Sequence, residues 1–225
     1  MIDLVKKGNF KPIDNEFLLE GFLALQEVAK VQEKWEKGDT DSFINEIRDS
    51  MVGHYLGYEL INTDKHGFDC KLSSDKDIFL EVKAASYDAK TWGATFNDTT
   101  VEKAKYFQGD KVYLCLAVWK KANDLLFMVY GKNAKLGYFL VEKVKSFLKG
   151  EGGVRSTQTV SLSQLIFEYE FDIVCIKPKQ EVKTILQLKS KQFFNIQDSC
   201  LLSHSEFIEK YNNSANIIIS ETNKI

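Results

Sequence analysis

The segment 66-HGFDCKLSSDKDIFLEVKA-84 carries more structural information than any other part of this sequence. It contains two short runs with apolar residues, His66 to Leu72 and Ile78 to Ala84. The five residues between them are Ser, Ser, Asp, Lys and Asp, which are types that favour a turn. The segment therefore predicts an antiparallel β-hairpin.

The second run of the hairpin alternates apolar and polar side chains. Leu80 and Val82 alternate with Glu81 and Lys83, and a period of two places alternate residues of a strand on opposite faces. Glu81 and Lys83 should then share one face, and the hairpin should bring Asp69 of the first strand beside them.

The flanking sequence predicts helices and further strands around this hairpin. Before it, apolar residues recur at helical spacing over 15–37 and from about 39 to 56, and a strand follows at 58–61. After it, we expect helices at about 99–108, 136–149 and 205–211, and strands at 111–119, 125–130 and 171–176. This order predicts an α/β fold with a mixed central β-sheet flanked by α-helices.

We expect a single domain over 1–225. Its core would span about 40–176, the first helix would cover 15–37, and residues 177–225 would form a C-terminal extension.

Asp69, Glu81 and Lys83 together suit the hydrolysis of a phosphodiester. Two close carboxylates repel each other unless a cation lies between them, and oxygen ligands favour Mg²⁺. Such an ion polarises a phosphoryl oxygen and lowers the pKa of a bound water, while an adjacent ammonium orients the water or offsets developing charge.

Spacing alone is not specific, since an acid two residues before a lysine occurs four times in the chain, at Asp69, Glu81, Asp88 and Glu181. Only Glu81 lies in a predicted hairpin with a second acid opposite. The alternatives are an ordinary surface ion pair across the hairpin, and a second site in which Asp172 and Glu181-Val182-Lys183 form another hairpin around Pro178.

Through Asp69, Glu81, Val82 and Lys83 the chain resembles the PD-(D/E)XK nuclease superfamily, and within it the type II restriction endonucleases. Phe68 stands where that pattern has proline. The resemblance implies a restriction-endonuclease-like core in which Asp69, Glu81 and the Val82 carbonyl bind Mg²⁺ and Lys83 attends the attacking water. It also implies a glutamate from the preceding helix, for which Glu46 is the candidate and Asp49 and Glu59 are rivals.

DNA would be held through its phosphates and recognised at base edges in the major groove. The segment after the site is rich in side chains that donate and accept hydrogen bonds, and the candidate contacts there are Ser86, Tyr87, Lys90, Thr91, Trp92, Thr95, Asn97 and Thr99. Asn97 could pair with adenine in a bidentate manner. A solvated connector is the other interpretation of this segment.

A second set of candidate contacts is basic. The segment 177–191 contains a single acidic residue, Glu181, and five lysines: Lys177, Lys179, Lys183, Lys189 and Lys191. They are candidate phosphate contacts, although a solvated lysine face is equally common.

The composition of the chain and the absence of other motifs exclude several classes of protein. The 225 residues carry 30 basic and 32 acidic side chains, a net charge of −2, so a binder that relies on bulk positive charge is excluded. No nucleotide-binding glycine loop occurs, so we expect no nucleotide cofactor. The chain has no apolar signal core or membrane span, and its scattered cysteines suggest reduced thiols, so we expect a cytoplasmic protein.

The resemblance therefore implies a Mg²⁺-dependent, sequence-specific endonuclease of a restriction-modification system, which cuts double-stranded DNA as a homodimer. One alternative is a repair, mobile-element or nicking nuclease of the same fold. The other is a non-catalytic DNA-binding protein.

Overall fold

The computed structural model describes residues 15–35, 43–61, 68–74, 77–97, 99–150 and 157–211. The chain divides into two compact units, Met1–Glu46 and Ile47–Ile225. The predicted helix caps at 39–41 and the predicted strand residues His66 and Gly67 lie outside the described residues.

The described secondary structure includes five α-helices and nine strands that we label here. In chain order they are α1 (Asn15–Lys34), α2 (Phe43–Leu56), β1 (Tyr58–Leu60), β2 (Cys70–Leu72), β3 (Phe79–Ser86), β4 (Gly93–Phe96), α3 (Val101–Tyr106), β5 (Val112–Lys121), β6 (Asp124–Gly131), α4 (Ala134–Leu148), β7 (Gln158–Ser161), β8 (Asp172–Cys175), α5 (Lys179–Lys189) and β9 (Leu201–Leu202). Short 3₁₀ and π-helical turns connect some of them, and residues 204–211 are also helical.

Seven strands form one mixed sheet in the order β1-β2-β3-β5-β6-β8-β9. The pairs β3–β5 and β8–β9 are parallel and the others are antiparallel. This confirms an α/β fold with a mixed central sheet flanked by helices. The predicted order of helix, strand, hairpin, helix and strand is also confirmed, by α2, β1, β2–β3, α3 and β5.

The pairing register of the hairpin β2–β3 agrees with the alternation of apolar and polar residues in its second strand. Cys70 pairs with Leu80 and Lys71 with Phe79, and the Leu72 N–H donates to the Ile78 carbonyl at 2.8 Å. Glu81 and Lys83 consequently lie on one face of the sheet, whereas Leu80 and Val82 lie on the other.

Each face of the sheet has its own core. Leu80 and Val82 pack with Val52 and Leu56 of α2 in one buried cluster. The opposite cluster, which includes Ala104 of α3, Leu136 of α4 and Phe96 of β4, covers the face that carries Glu81 and Lys83. The sheet is therefore buried on both sides near the candidate site, as is typical where parallel strands are central.

Two of the alternative interpretations of the sequence are wrong. Residues 86–97 are not only a connector, because β4 pairs antiparallel with β7 in a second, two-stranded sheet. The segment after Pro178 is helix α5 rather than a strand, because Val182 and Leu186, four residues apart, are buried together on one helical face. The alternative hairpin of Asp172 with Glu181 and Lys183 therefore does not form.

Among the described residues, no helix is both long enough and apolar enough to cross a membrane. The four cysteines are free thiols, and three of them, Cys70, Cys115 and Cys175, are buried.

Gly137 permits the close approach of α4 to the end of α3. A Cβ at this position would lie 2.5 Å from the Phe107 carbonyl carbon and in collision with the Gln108 backbone nitrogen. We predict that Gly137→Ala lowers the free energy of unfolding by about 1–3 kcal/mol through overpacking, as measured by urea denaturation.

The sign of this effect is informative, because alanine in a free helix interior is about 0.5–1 kcal/mol better than glycine. A Gly137→Ala protein more stable than the wild type would contradict the close approach. Gly109→Ala is the control, since its Cβ would meet only the Tyr106 carbonyl at 3.5 Å.

Candidate active site

Asp69 lies immediately before β2 and reaches across to β3. Its Oδ2 accepts a hydrogen bond from the Val82 N–H at 2.7 Å, and its own N–H donates to the Leu80 carbonyl at 3.1 Å. These two bonds fix the carboxylate beside the strand that carries Glu81 and Lys83. The predicted proximity of Asp69 to that strand is confirmed.

Glu81 is a buried carboxylate, with only 2% of the residue exposed. Lys83 donates to its Oε1 at 2.5 Å, and the Lys83 side chain is 22% exposed. A carboxylate this deeply buried needs such compensation, since an unpaired buried charge is strongly destabilising.

A second lysine, Lys103 of α3, completes the group. Its Nζ lies 2.9 Å from Glu81 Oε2 and donates to Oε1 at 3.0 Å. Sequence spacing did not indicate Lys103 as a site residue. The topology carries a signal for it, because the connection between parallel strands such as β3 and β5 usually contains a helix that lies on one face of the sheet. Lys103 is on that helix.

The pKa values of the group reflect burial and mutual charge. Burial, followed by the neighbouring Glu81 carboxylate, raises the pKa of Asp69 to about 6, against the opposing effects of Lys83, the Val82 hydrogen bond and Lys103. Burial acts to lower the pKa of Lys83, but Glu81 and Asp69 outweigh it and the pKa lies above its ordinary value. Lys83 is therefore a protonated donor in this state.

Phe68, which stands where the family pattern has proline, packs in an aromatic cluster beside the site. Its ring lies 5.6 Å from that of Phe79, 5.7 Å from that of Tyr106 and 6.0 Å from that of Phe107. The Lys103 ammonium lies 5.4 Å from the centre of the Phe68 ring. Packing of Phe68 thus anchors the chain just before Asp69, where proline would restrict it by its ring.

The three candidates for an additional acid differ in their surroundings. Glu46 lies in the first turn of α2, within the first unit, and its role stays a prediction. Asp49 lies on the part of α2 that belongs to the second unit, and its charge helps to raise the pKa of Lys83. Glu59 pairs with Lys71 across β1–β2 at 3.7 Å.

The group fits a hard divalent cation. Glu81 Oε2 is buried and accepts no hydrogen bond, although an ammonium is close to it. A strand residue directs its N–H and C=O toward the same neighbouring strand, so the Val82 carbonyl faces the side on which Asp69 lies. Two carboxylates and a carbonyl offer only oxygen ligands, as Mg²⁺ prefers.

No cluster of three or more histidine, cysteine, aspartate or glutamate side chains with the arrangement of a metal centre occurs in the part of the chain that the structure describes. The candidate ligands at this site are two carboxylates and a backbone carbonyl.

The candidate DNA contacts after β3 differ in accessibility. Ser86, Lys90, Thr91, Thr95 and Asn97 are exposed, and Tyr87 is half-buried. Trp92 and Thr99 are buried, so contact with a base would require either side chain to move.

The basic segment is largely engaged within the protein. Lys177 pairs with Asp124 at 3.1 Å, Lys179 with Glu206 at 2.5 Å and Lys183 with Asp198 at 2.6 Å. Lys189 donates to the Tyr87 and Ala89 carbonyls, which ties α5 to the segment after β3. The predicted phosphate contacts of these lysines therefore compete with internal partners.

No family model matches this chain, and no curated protein sequence matches it.

We predict that Asp69→Asn stabilises the metal-free protein at neutral pH. Because the folded-state pKa of Asp69 is about 6 rather than 3.8, ionisation of this carboxyl destabilises the fold as the pH rises from about 4 to 6, and the cost persists above that. The asparagine oxygen keeps the Val82 hydrogen bond and carries no charge. In EDTA at pH 8 the variant should be about 2 kcal/mol more stable to urea, with the difference vanishing near pH 3.5.

Asp88→Asn is the control, because Asp88 is an exposed acid two residues before a lysine and its replacement should change little. An Asp69→Asn protein less stable than the wild type at pH 8 would contradict the electrostatic description of the site.

Proposed function

We propose that this protein is a Mg²⁺-dependent endonuclease of the type II restriction class that cuts double-stranded DNA at a specific site. The observation that carries the proposal is the convergence of Asp69, buried Glu81 and protonated Lys83 on one hairpin. The order of α2, β1, β2–β3, α3 and β5 around this hairpin supports it, because it is the order that the resemblance to the PD-(D/E)XK superfamily implies.

Asp69, Glu81 and the Val82 carbonyl would hold the ion, for the reasons of ligand chemistry given above. When bound, Mg²⁺ supplies polarisation of a phosphoryl oxygen and a coordinated water of lowered pKa. Lys83 is placed to donate a hydrogen bond to that water or to a phosphate oxygen, since its ammonium lies at the carboxylate and stays charged. Hydrolysis then adds water across one P–O bond, with no covalent bond to the protein.

Recognition of DNA would draw on the exposed donors and acceptors that follow the site. Thr95 and Asn97 lie on and just after β4, and their positions are fixed by pairing with β7. The Asn97 Oδ1 accepts from the Thr157 hydroxyl at 3.2 Å, which leaves its amide nitrogen to donate. A homodimer acting in the cytoplasm on a two-fold symmetric site completes the proposal.

A second candidate function is DNA binding without catalysis. The observation that favours it is the pairing of Glu81 with two lysines, which already balances its charge without a metal. The other alternative, a repair, mobile-element or nicking nuclease, shares the site and differs in the pattern of cuts.

We predict that the protein converts plasmid and phage DNA into discrete fragments with Mg²⁺ and not with EDTA. Lys83→Ala and Asp69→Ala should each lower the cleavage rate by about 10²-fold or more, as expected for loss of a group that acts on the reacting atoms. Rates are measured by gel electrophoresis after circular dichroism has confirmed folding.

Lys71→Ala is the matched control, because Lys71 is on the same hairpin and pairs with exposed Glu59. Full activity in Lys83→Ala would place the chemistry elsewhere. A smear of fragments would support the repair or nonspecific nuclease, and intact DNA with binding retained would support the non-catalytic candidate.

A further inference from the structure

Lys103 stands out because it contacts the candidate metal ligand Glu81 from a different element. Lys83 shares β3 with Glu81 and is held beside it by the backbone. Lys103 instead reaches across from α3, a helix of six residues. Its ammonium lies within 3.0 Å of both Glu81 oxygens.

The contact to Oε2 is an ion pair without good hydrogen-bond geometry. Lys103 Nζ lies 2.9 Å from this oxygen, yet the buried oxygen accepts no hydrogen bond. The Lys103 ammonium therefore occupies the space beside this buried oxygen. A divalent ion bound through Glu81 would compete for this place, and the two cations would repel each other.

The Lys103 ammonium also lies beside an aromatic ring while it contacts Glu81. The Phe68 ring centre is 5.4 Å from Nζ, a distance at which the face of an aromatic ring attracts a cation. The side chain is 24% exposed, so its ammonium can leave Glu81 without being buried unpaired. The two lysines are similarly exposed, at 22% for Lys83 and 24% for Lys103, but Lys103 comes from a separate helix, so its ammonium can be displaced without moving the strand that carries Glu81.

We propose that Lys103 is a positioning residue that occupies Glu81 as an internal counter-ion and is displaced when a divalent metal binds. It holds the carboxylate ordered in the metal-free protein, and it lowers the affinity for metal by competition. This inference rests on the proposed function, because it requires Asp69 and Glu81 to be metal ligands.

The test is the affinity of the DNA-free protein for Mn²⁺, a metal suited to carboxylate, carbonyl and water ligands, measured from the EPR signal of free Mn²⁺. Lys103→Met and Lys103→Gln should each bind Mn²⁺ more tightly than the wild type, on the order of tenfold. Lys103→Gln keeps a hydrogen-bond donor to Glu81 and so guards against misfolding. Lys103→Arg keeps the charge and should bind as the wild type does.

The direction of the change in Mn²⁺ affinity distinguishes competition by Lys103 from a purely structural role of this residue. If Lys103 only ordered Glu81 for the metal, both neutral variants would bind Mn²⁺ more weakly, and that result, like unchanged affinity, would overturn the inference. Lys105→Met is the control, since Lys105 is an exposed lysine of the same helix, and it should leave the affinity unchanged.

Asp69→Asn and Glu81→Gln separate failure of this inference from failure of the proposed function. If these two variants lose Mn²⁺ binding but the Lys103 variants do not gain it, the metal site stands and only the role of Lys103 is wrong. If they bind as the wild type does, or if the wild type binds no Mn²⁺, both the metal site and the role of Lys103 are wrong.

Discussion

The rest of the candidate site depends on the burial of one carboxylate, that of Glu81, in the middle of the sheet. A charge that is only 2% exposed is tolerated when ammonium groups lie against it. Lys83 supplies one from the same strand, and Lys103 supplies the other from the helix laid over this face. The helix α3 that carries this second charge is also the one that α4 approaches closely at Gly137.

The buried pair of carboxylates, Asp69 and Glu81, is better suited to binding a cation than to stabilising the fold. Asp69 faces the same buried carboxylate, and burial and repulsion raise its pKa to about 6. A protein selected only for stability gains little from such a pair, since apolar residues in its place would pack without the electrostatic cost. Ionisable groups with strongly shifted pKa values are concentrated at functional sites. An added cation would reduce the repulsion between the Asp69 and Glu81 carboxylates.

Period two and turn composition were sufficient to predict the hairpin, the shared face of Glu81 and Lys83, and the approach of Asp69. These are local features, and local sequence determines them. Lys103 was missed because its contact depends on how α3 lies on the sheet, which spacing along the chain does not express. Pairing of β4 with β7 is likewise nonlocal. A strand over 182–188 belongs only to the alternative hairpin with Asp172, and the burial of Val182 and Leu186 on one face of α5 rules it out.

The most direct test of the metal-dependent site is a crystal structure of the protein with Mn²⁺, examined by anomalous scattering at the manganese edge. We expect an anomalous peak bound by Asp69, Glu81 and the Val82 carbonyl, with Lys83 still adjacent. Manganese density elsewhere, or none at all with Glu81 still paired to both lysines, would contradict it.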